Sequence, residues 1–180
     1  TSGHPPLIGQ PSTAAQYSEL DPPHHPGPIE FYLLVPAVEL LGSDLGMLVG
    51  AGLFNLSAIL VAAWVVFRRA GPLVGLAGVL ALSGLAWAQG IAMLTDPISS
   101  NMGGIPLVAV VVLGWAVLDG DLRLLPLFAL ALAFVCQQHL AVVGVAAGTA
   151  AWVAVGLAFT WLGWRRAAGD PEGGGAGPPQ

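Results

Sequence analysis

The stretch that decides the fold is Leu124–Trp164, LLPLFALALAFVCQQHLAVVGVAAGTAAWVAVGLAFTWLGW. Its only ionisable side chains are one cysteine and one histidine. A helix crosses the hydrocarbon core of a bilayer with about 20 apolar residues, and this run is about twice as long as one crossing needs. We therefore predict two crossings, with the chain reversing where Gln137, Gln138 and His139 interrupt the apolar run.

The composition points to the same class of protein. Of the 180 residues, 56% are hydrophobic and 8% are charged, and the mean hydropathy is +0.79. Soluble domains carry about 25% charged residues, so these few charges cannot cover a water-exposed surface. The chain has no lysine and five arginines, which argues against nucleic-acid binding because that function needs a basic surface. The single cysteine, Cys136, leaves no disulfide framework within the chain.

The apolar segments predict an all-α fold, a polytopic transmembrane helical bundle of about five spans with one interfacial helix. The predicted spans are residues 46–67, 72–94, 102–118, 122–140 and 142–164. The preceding segment, 28–42, contains two glutamates and, within the helix that follows Pro28, a second proline at position 36; these residues make a full crossing costly. We predict that it forms a helix lying in the membrane interface, with Phe31 and Tyr32 at headgroup depth.

The arginines predict the orientation of the bundle. Five crossings put all of them on one face, and they lie at positions 68, 69, 123, 165 and 166. Arginine is enriched in cytoplasmic loops, so we predict a multi-pass protein of the plasma (inner) membrane with residues 1–45 extracytoplasmic. The Gly- and Pro-rich segment 165–180 is predicted to be a disordered cytoplasmic tail. The N-terminus has no initiating Met and no signal peptide, so we expect the chain to be a piece of a longer protein.

Polar residues on the predicted external side are the candidates for a functional site. Those predicted to bind a substrate or a phosphate group are His24, His25, Asp96, Gln137 and His139. Polar groups at membrane depth are expensive and usually serve a site or a packing need. The alternatives are that the two adjacent histidines are solvated loop residues, that the Gln-Gln-His run is only an outer turn, and that Asp96, which precedes a proline, only starts a turn.

No cofactor is predicted. A divalent metal bound by His24 and His25 with Asp96 or His139 is the alternative. It is disfavoured because adjacent histidines point in different directions and because this spacing matches no known metal signature.

Two segments resemble a known superfamily. HHPGPIEFYLLVPAVELLG, from His24, resembles the HPGP…FYLLAP…LLG segment of the GT-C glycosyltransferases, polytopic membrane proteins that include protein-mannosyltransferase-like and bacterial polyprenyl-phosphate-sugar-dependent families. The later segment from Asp96 to Leu140 resembles the one that opens with DPWNP and ends a span with QTH; here these motifs read DPISS and QQH. Order and spacing agree over roughly Pro6 to Arg166.

This resemblance implies a membrane enzyme that takes a sugar from a polyprenyl-phosphate donor. It would transfer the sugar, with inversion, to a glycan, lipid or protein acceptor on the extracytoplasmic face, with membrane lipids around it. In the superfamily the first external loop carries an acidic catalytic base. Asp21 and Glu19 are the nearest carboxylates in the loop that remains here, but neither matches a family catalytic position, and the base is not identified.

Two other functions remain open. A non-catalytic membrane scaffold with the same fold would need no base. A transporter would be expected to carry charged or broken helices at the bilayer midplane and an inverted repeat, whereas the polar residues here gather at the outer ends of the predicted spans.

Overall fold

A computed structural model of the chain describes residues 7–9, 11 and 24–168. These residues form five α-helices and a short 3₁₀ turn at Leu122–Leu124, and no strand forms among them. The helices are α1 Ile29–Leu41, α2 Ser43–Thr95, α3 Ser99–Leu118, α4 Leu125–Gln138 and α5 Leu140–Ala168. The predicted all-α class is confirmed.

Helix α2 folds back on itself at Gly71. Gly71 has φ 81° and ψ 176°, a backbone conformation that glycine adopts without the steric cost of a Cβ atom. Pro72 follows, where its fixed φ suits the first turn of a new helix. Beyond the break, Gly75 lies against the Phe67 side chain and Gly78 lies against the Val66 side chain. Because these pairings run in opposite chain directions, the segments 43–70 and 72–89 are antiparallel arms, in the region where the sequence predicts separate spans.

Helix α1 lies tightly against the start of α2. The chain turns at Gly42, which has φ 84°. A Cβ atom added to Gly46 would lie 2.5 Å from the Cα of Val38 and 2.6 Å from the Ala37 carbonyl oxygen. Only a glycine permits this approach of two backbones. The position of α1 in a membrane interface stays a prediction.

Helix α3 is the centre of the bundle and packs against α2, α4 and α5. Its inward side chains, such as Met102, Val110 and Leu113, are buried. Gly103 of α3 lies opposite Val142 of α5, and Leu118 lies opposite Gly156. Because both pairings run in the same chain direction, α3 and α5 are parallel and α4 returns between them.

The arginines gather at one end of the bundle. Arg69 donates a hydrogen bond of 2.8 Å from Nε to the carboxylate of Asp119, and an Arg68 nitrogen lies 3.4 Å from a carboxylate oxygen of Asp121. These ion pairs join the turn at Gly71 to the turn between α3 and α4. Since α5 runs parallel to α3, its carboxyl-terminal arginines also lie at this end. Which side of a membrane this end faces stays a prediction.

The described residues contain three helices long and apolar enough to cross a membrane. These segments are Ser43–Thr95, Asn101–Leu118 and Leu140–Arg166. Large apolar side chains on the outside of the bundle, including Trp87 at 88% exposure, suit contact with lipid. The chain is therefore assigned to the membrane proteins, whereas the count of five crossings stays a prediction.

Helix α5 continues into the segment that is predicted to be a disordered tail. It ends at Ala168, and Arg165 lies 4.3 Å from the centre of the Trp161 ring. This contact between two residues one helical turn apart stabilises the helix. The basic residues in the last turn also interact favourably with the helix dipole. The rest of the predicted tail, 169–180, lies outside the described residues.

Candidate functional site

Residues 24–28 dock on the carboxyl-terminal end of α4. The Gly27 N–H donates a hydrogen bond of 3.2 Å to the Gln137 carbonyl, and the Gly9 N–H donates one of 3.3 Å to the His25 carbonyl. The last carbonyls of a helix have no partner within the helix. The docked segment, as we call residues 24–28, supplies one.

Gly27 is the point of closest approach between the docked segment and α4. A Cβ atom at this position would lie 2.2 Å from Oε1 and 2.5 Å from Cγ of the Gln137 side chain. Any larger residue would push the Gln137 side chain aside. The close contact thus depends on glycine, and it positions the two histidines that precede it.

His25 and His139 are in contact at the junction of the docked segment with α4 and α5. Their ring centres are 5.1 Å apart, and the rings are tilted by 42°. His139 has extended backbone angles, φ −147° and ψ 140°, which end α4. Its Nδ1 accepts a hydrogen bond of 3.1 Å from the Ala141 N–H, so the side chain caps the amino-terminal end of α5.

The environment favours the neutral form of His25. Partial burial lowers the pKa of its imidazole below the ordinary 6.5, and the neighbouring His139 and His24 lower it further, while a hydrogen bond with the Gln138 backbone acts in the opposite direction. A neutral imidazole has one donor and one acceptor nitrogen. At neutral pH this side chain therefore offers hydrogen bonds rather than a fixed positive charge.

Gln138 is buried directly beneath the junction. Its side chain is 0% exposed, and neither amide atom has a hydrogen-bond partner among the described residues. Gly103 of α3 lies against its Cβ. In the sequence, Gln138 is only one member of the polar run from Gln137 to His139. Which of the two glutamines is buried depends on the packing of α3, and the sequence pattern does not reveal that packing.

Asp96 takes part in a different arrangement. Its Oδ1 accepts a hydrogen bond of 3.1 Å from the Ile98 N–H, and its Oδ2 accepts one of 3.0 Å from the Asn101 side chain. These bonds order the turn before α3, and among the described residues they do not link Asp96 to a histidine. The structure thus brings together His25, Gln137 and His139 of the predicted site residues, with His24 exposed beside them.

Glu30 is a buried carboxylate that the sequence analysis did not include in the predicted site. It is 3% exposed in the first turn of α1, just after the docked segment. Leu34, one helical turn later, is buried on the same face, and this spacing is the signal that sequence reasoning could have used. Asp21 and Glu19 lie outside the described residues.

An apolar cavity of about 160 Å³ opens between α1, α2, α3 and α4. Its outer part is lined by Ile29 of α1 and Phe134 of α4. The only hydroxyl in its wall, that of Ser57, donates to the Phe54 carbonyl at 2.7 Å. Ile29 directly follows the docked segment and Phe134 lies one turn before Gln138, so part of the cavity wall is within one helical turn, along the chain, of the residues that hold the docked segment.

Within residues 7–9, 11 and 24–168, no three histidine, cysteine or carboxylate side chains gather in a way that would hold a metal ion. No family model, curated protein or solved structure matches the chain.

Proposed function

We propose that the chain belongs to a membrane glycosyltransferase that binds a polyprenyl-phosphate-linked sugar at the junction of the docked segment with α4 and α5. The observation that carries this proposal is an apolar cavity whose wall includes Ile29 and Phe134, which are close along the chain to the contact between His25 and His139. A lipid-linked sugar has the same division, with a long apolar chain attached to a phosphate. The resemblance to the GT-C superfamily supports the same substrate class.

The phosphate would lie against the histidines. His24, His25 and His139 are the side chains at this end of the described bundle that can become cationic, and a nearby phosphate would favour protonation of the imidazoles. The bonds that they donate would also stabilise the negative charge that develops on the departing phosphate. The first isoprenoid units of the donor would occupy the cavity, whose apolar wall releases water when it is filled.

The reaction would be an inverting transfer on the extracytoplasmic face. The oxygen of an acceptor hydroxyl, on a glycan, a lipid or a protein, forms a bond to the anomeric carbon. The bond from that carbon to the phosphate oxygen breaks, and its electron pair leaves with the phosphate. A carboxylate takes the hydroxyl proton. Asp21 and Glu19 are candidates from the preceding loop, Glu30 is a further carboxylate close in sequence to the histidines, and the base is not assigned to one of them.

A non-catalytic scaffold that binds the same lipid is the second candidate. It is favoured by the hydrogen bonds of Asp96, whose two carboxylate oxygens are both engaged within their own turn. A protein of this kind would bind the lipid without turning it over.

Replacement of His24 and His25 by alanine tests the phosphate site. We expect the double variant to bind polyprenyl phosphate about tenfold more weakly, a loss of about 1.4 kcal/mol, because hydrogen bonds to a charged group are lost. Binding is measured by equilibrium titration of the full chain in nanodiscs. Transfer from labelled polyprenyl-phosphate-linked hexoses and pentoses, in membranes with equal protein amounts, should fall in parallel.

Arg166→Ala, at the opposite end of the bundle, is the control and should bind normally. Binding and transfer that survive in the histidine variant would overturn the proposed site. Normal binding in the wild type without transfer to any acceptor would favour the scaffold.

Filling the cavity tests the position of the lipid chain. Ala131 lines the cavity, and Ala131→Leu is expected to weaken binding of long-chain polyprenyl phosphate about tenfold while binding of a short-chain prenyl phosphate changes little. Ala133→Leu is the matched control, because Ala133 is exposed on the same helix. Equal effects of the two variants, or no effect of either, would contradict a lipid chain in this cavity.

A further inference from the structure

Among the described residues, three contacts attach the docked segment to the α4–α5 junction. The Gly27 N–H bonds to the Gln137 carbonyl, the His25 imidazole makes a hydrogen bond with the Gln138 backbone, and the His25 ring lies against the His139 ring. A neighbouring backbone bond, from Gly9 to the His25 carbonyl, and the antiparallel bridge of His24 with Pro11 connect this segment to the preceding residues. Two of the three contacts to α4 and α5 are made by the His25 imidazole, so its protonation state bears directly on the attachment.

Protonation of either imidazole would weaken the contacts at the α4–α5 junction. Two imidazolium rings with centres 5.1 Å apart repel each other, as like charges do at this separation. The Nδ1 atom of His139 accepts the Ala141 N–H, and an imidazolium has no acceptor nitrogen. A proton on Nδ1 would thus remove the cap of α5, and it would place a positive charge at the positive end of that helix dipole.

Among the described residues, two titratable groups act on His25. His139 faces it from the α4–α5 junction, and His24 lies beside it on its own segment. The contacting residues of α4, Gln137 and Gln138, are uncharged. On α1, the buried Glu30 is the next carboxylate along the chain, five residues beyond His25.

We propose that His25 and His139 form a proton-operated latch, which holds residues 24–28 on the α4–α5 junction near neutral pH and releases them in acid. Release would break the hydrogen bond between the Gly27 N–H and the Gln137 carbonyl and separate the His25 and His139 rings. The latch goes beyond the proposed transferase and stands whether or not the protein transfers a sugar.

The sign of the pH dependence follows from His25. Its pKa in the docked state is below the ordinary 6.5, so the released state binds more protons once the pH falls below about that value. Docking is therefore strongest above the ordinary histidine pKa of 6.5. It weakens as the pH falls from that value to the lower pKa of the docked imidazole, and below that lower pKa it stays constant at the weaker level. Bound phosphate would oppose release, because it favours the imidazolium form.

Hydrogen exchange of the full chain in nanodiscs tests the latch. The measured quantity is protection of the peptide that contains Gly27, corrected for the intrinsic pH dependence of exchange. From about pH 8 to about pH 5 we expect protection in the wild type to fall about tenfold, on either side of the usual histidine pKa. Protection that stays constant over this range would overturn the proposal.

Two substitutions separate titration from structure. His139→Asn keeps a side-chain acceptor for the Ala141 N–H, because asparagine is a strong helix cap, and His25→Gln keeps a donor. The double variant should stay protected at both pH values. His24→Asn is the matched control and should release like the wild type. A double variant that still loses protection in acid, while α3 exchanges normally, would show that another group drives release.

Discussion

Replacing Gly46 with alanine is expected to lower the free energy of unfolding by about 3 kcal/mol. The new Cβ atom would lie 2.5 Å from the Cα of Val38 and 2.7 Å from its backbone nitrogen. These are backbone atoms of a helix, so no side-chain rotation can relieve the clash and α1 must move away from α2. Unfolding in mixed detergent micelles, followed by circular dichroism, measures the change.

Gly84→Ala is the control, because it makes the same substitution in α2 at a glycine that does not contact α1. Gly84 lies within α2, and a Cβ atom there would meet nothing within 4 Å. Alanine is favoured over glycine in a helix by about 1 kcal/mol, so this variant should gain stability while Gly46→Ala loses it. Changes of the same sign and size would mean that α1 does not pack on α2 in the way described.

Replacing Gln138 with leucine is expected to raise the free energy of unfolding by about 2 kcal/mol. Gln138 is 0% exposed and its amide nitrogen and oxygen have no hydrogen-bond partner among the described residues. Leucine has a similar size and no polar atoms to desolvate. The same micelle assay reports the gain.

Gln137→Leu provides the comparison for Gln138→Leu. Gln137 is only half-buried, and its side chain donates to the Ala133 carbonyl, so we expect a change of less than about 0.5 kcal/mol. Loss of stability in Gln138→Leu would show that the amide has a partner in the folded protein. If Gln138→Leu is more stable but binds polyprenyl phosphate more weakly, the buried amide is kept for ligand binding at a cost in stability.

Local composition was enough to predict the helical class and the polar character of the junction. The apolar run around Gln137 and His139 is too long for one crossing, and α4 ends and α5 begins on either side of His139. Proline and glycine mark the turn at Gly71 in the same way. These features depend on residues near one another in the chain.

The contacts between distant residues were not predicted. The meeting of His25 with His139 depends on the whole path of the chain through α1, α2 and α3, which no short pattern encodes. The ion pairs of Asp119 and Asp121 were not predicted, although a topology with all arginines on one face already places these carboxylates near Arg68 and Arg69. Opposite charges in two turns on one face were therefore an available signal. The cavity depends on packing of four helices, and residue pattern alone does not reveal such a space.

The ion pairs at the arginine end join residues that are about 50 positions apart in the chain. In a chain that inserts as it is synthesised, Arg68 and Arg69 emerge well before their partners on the turn after α3. If the arginine end faces the cytoplasm, as the sequence predicts, the first hairpin would be oriented before Asp119 and Asp121 are made, while the guanidinium groups still carry uncompensated charge. The same two arginines would then serve twice, first in setting the orientation of the hairpin and later in the ion pairs that join the two turns.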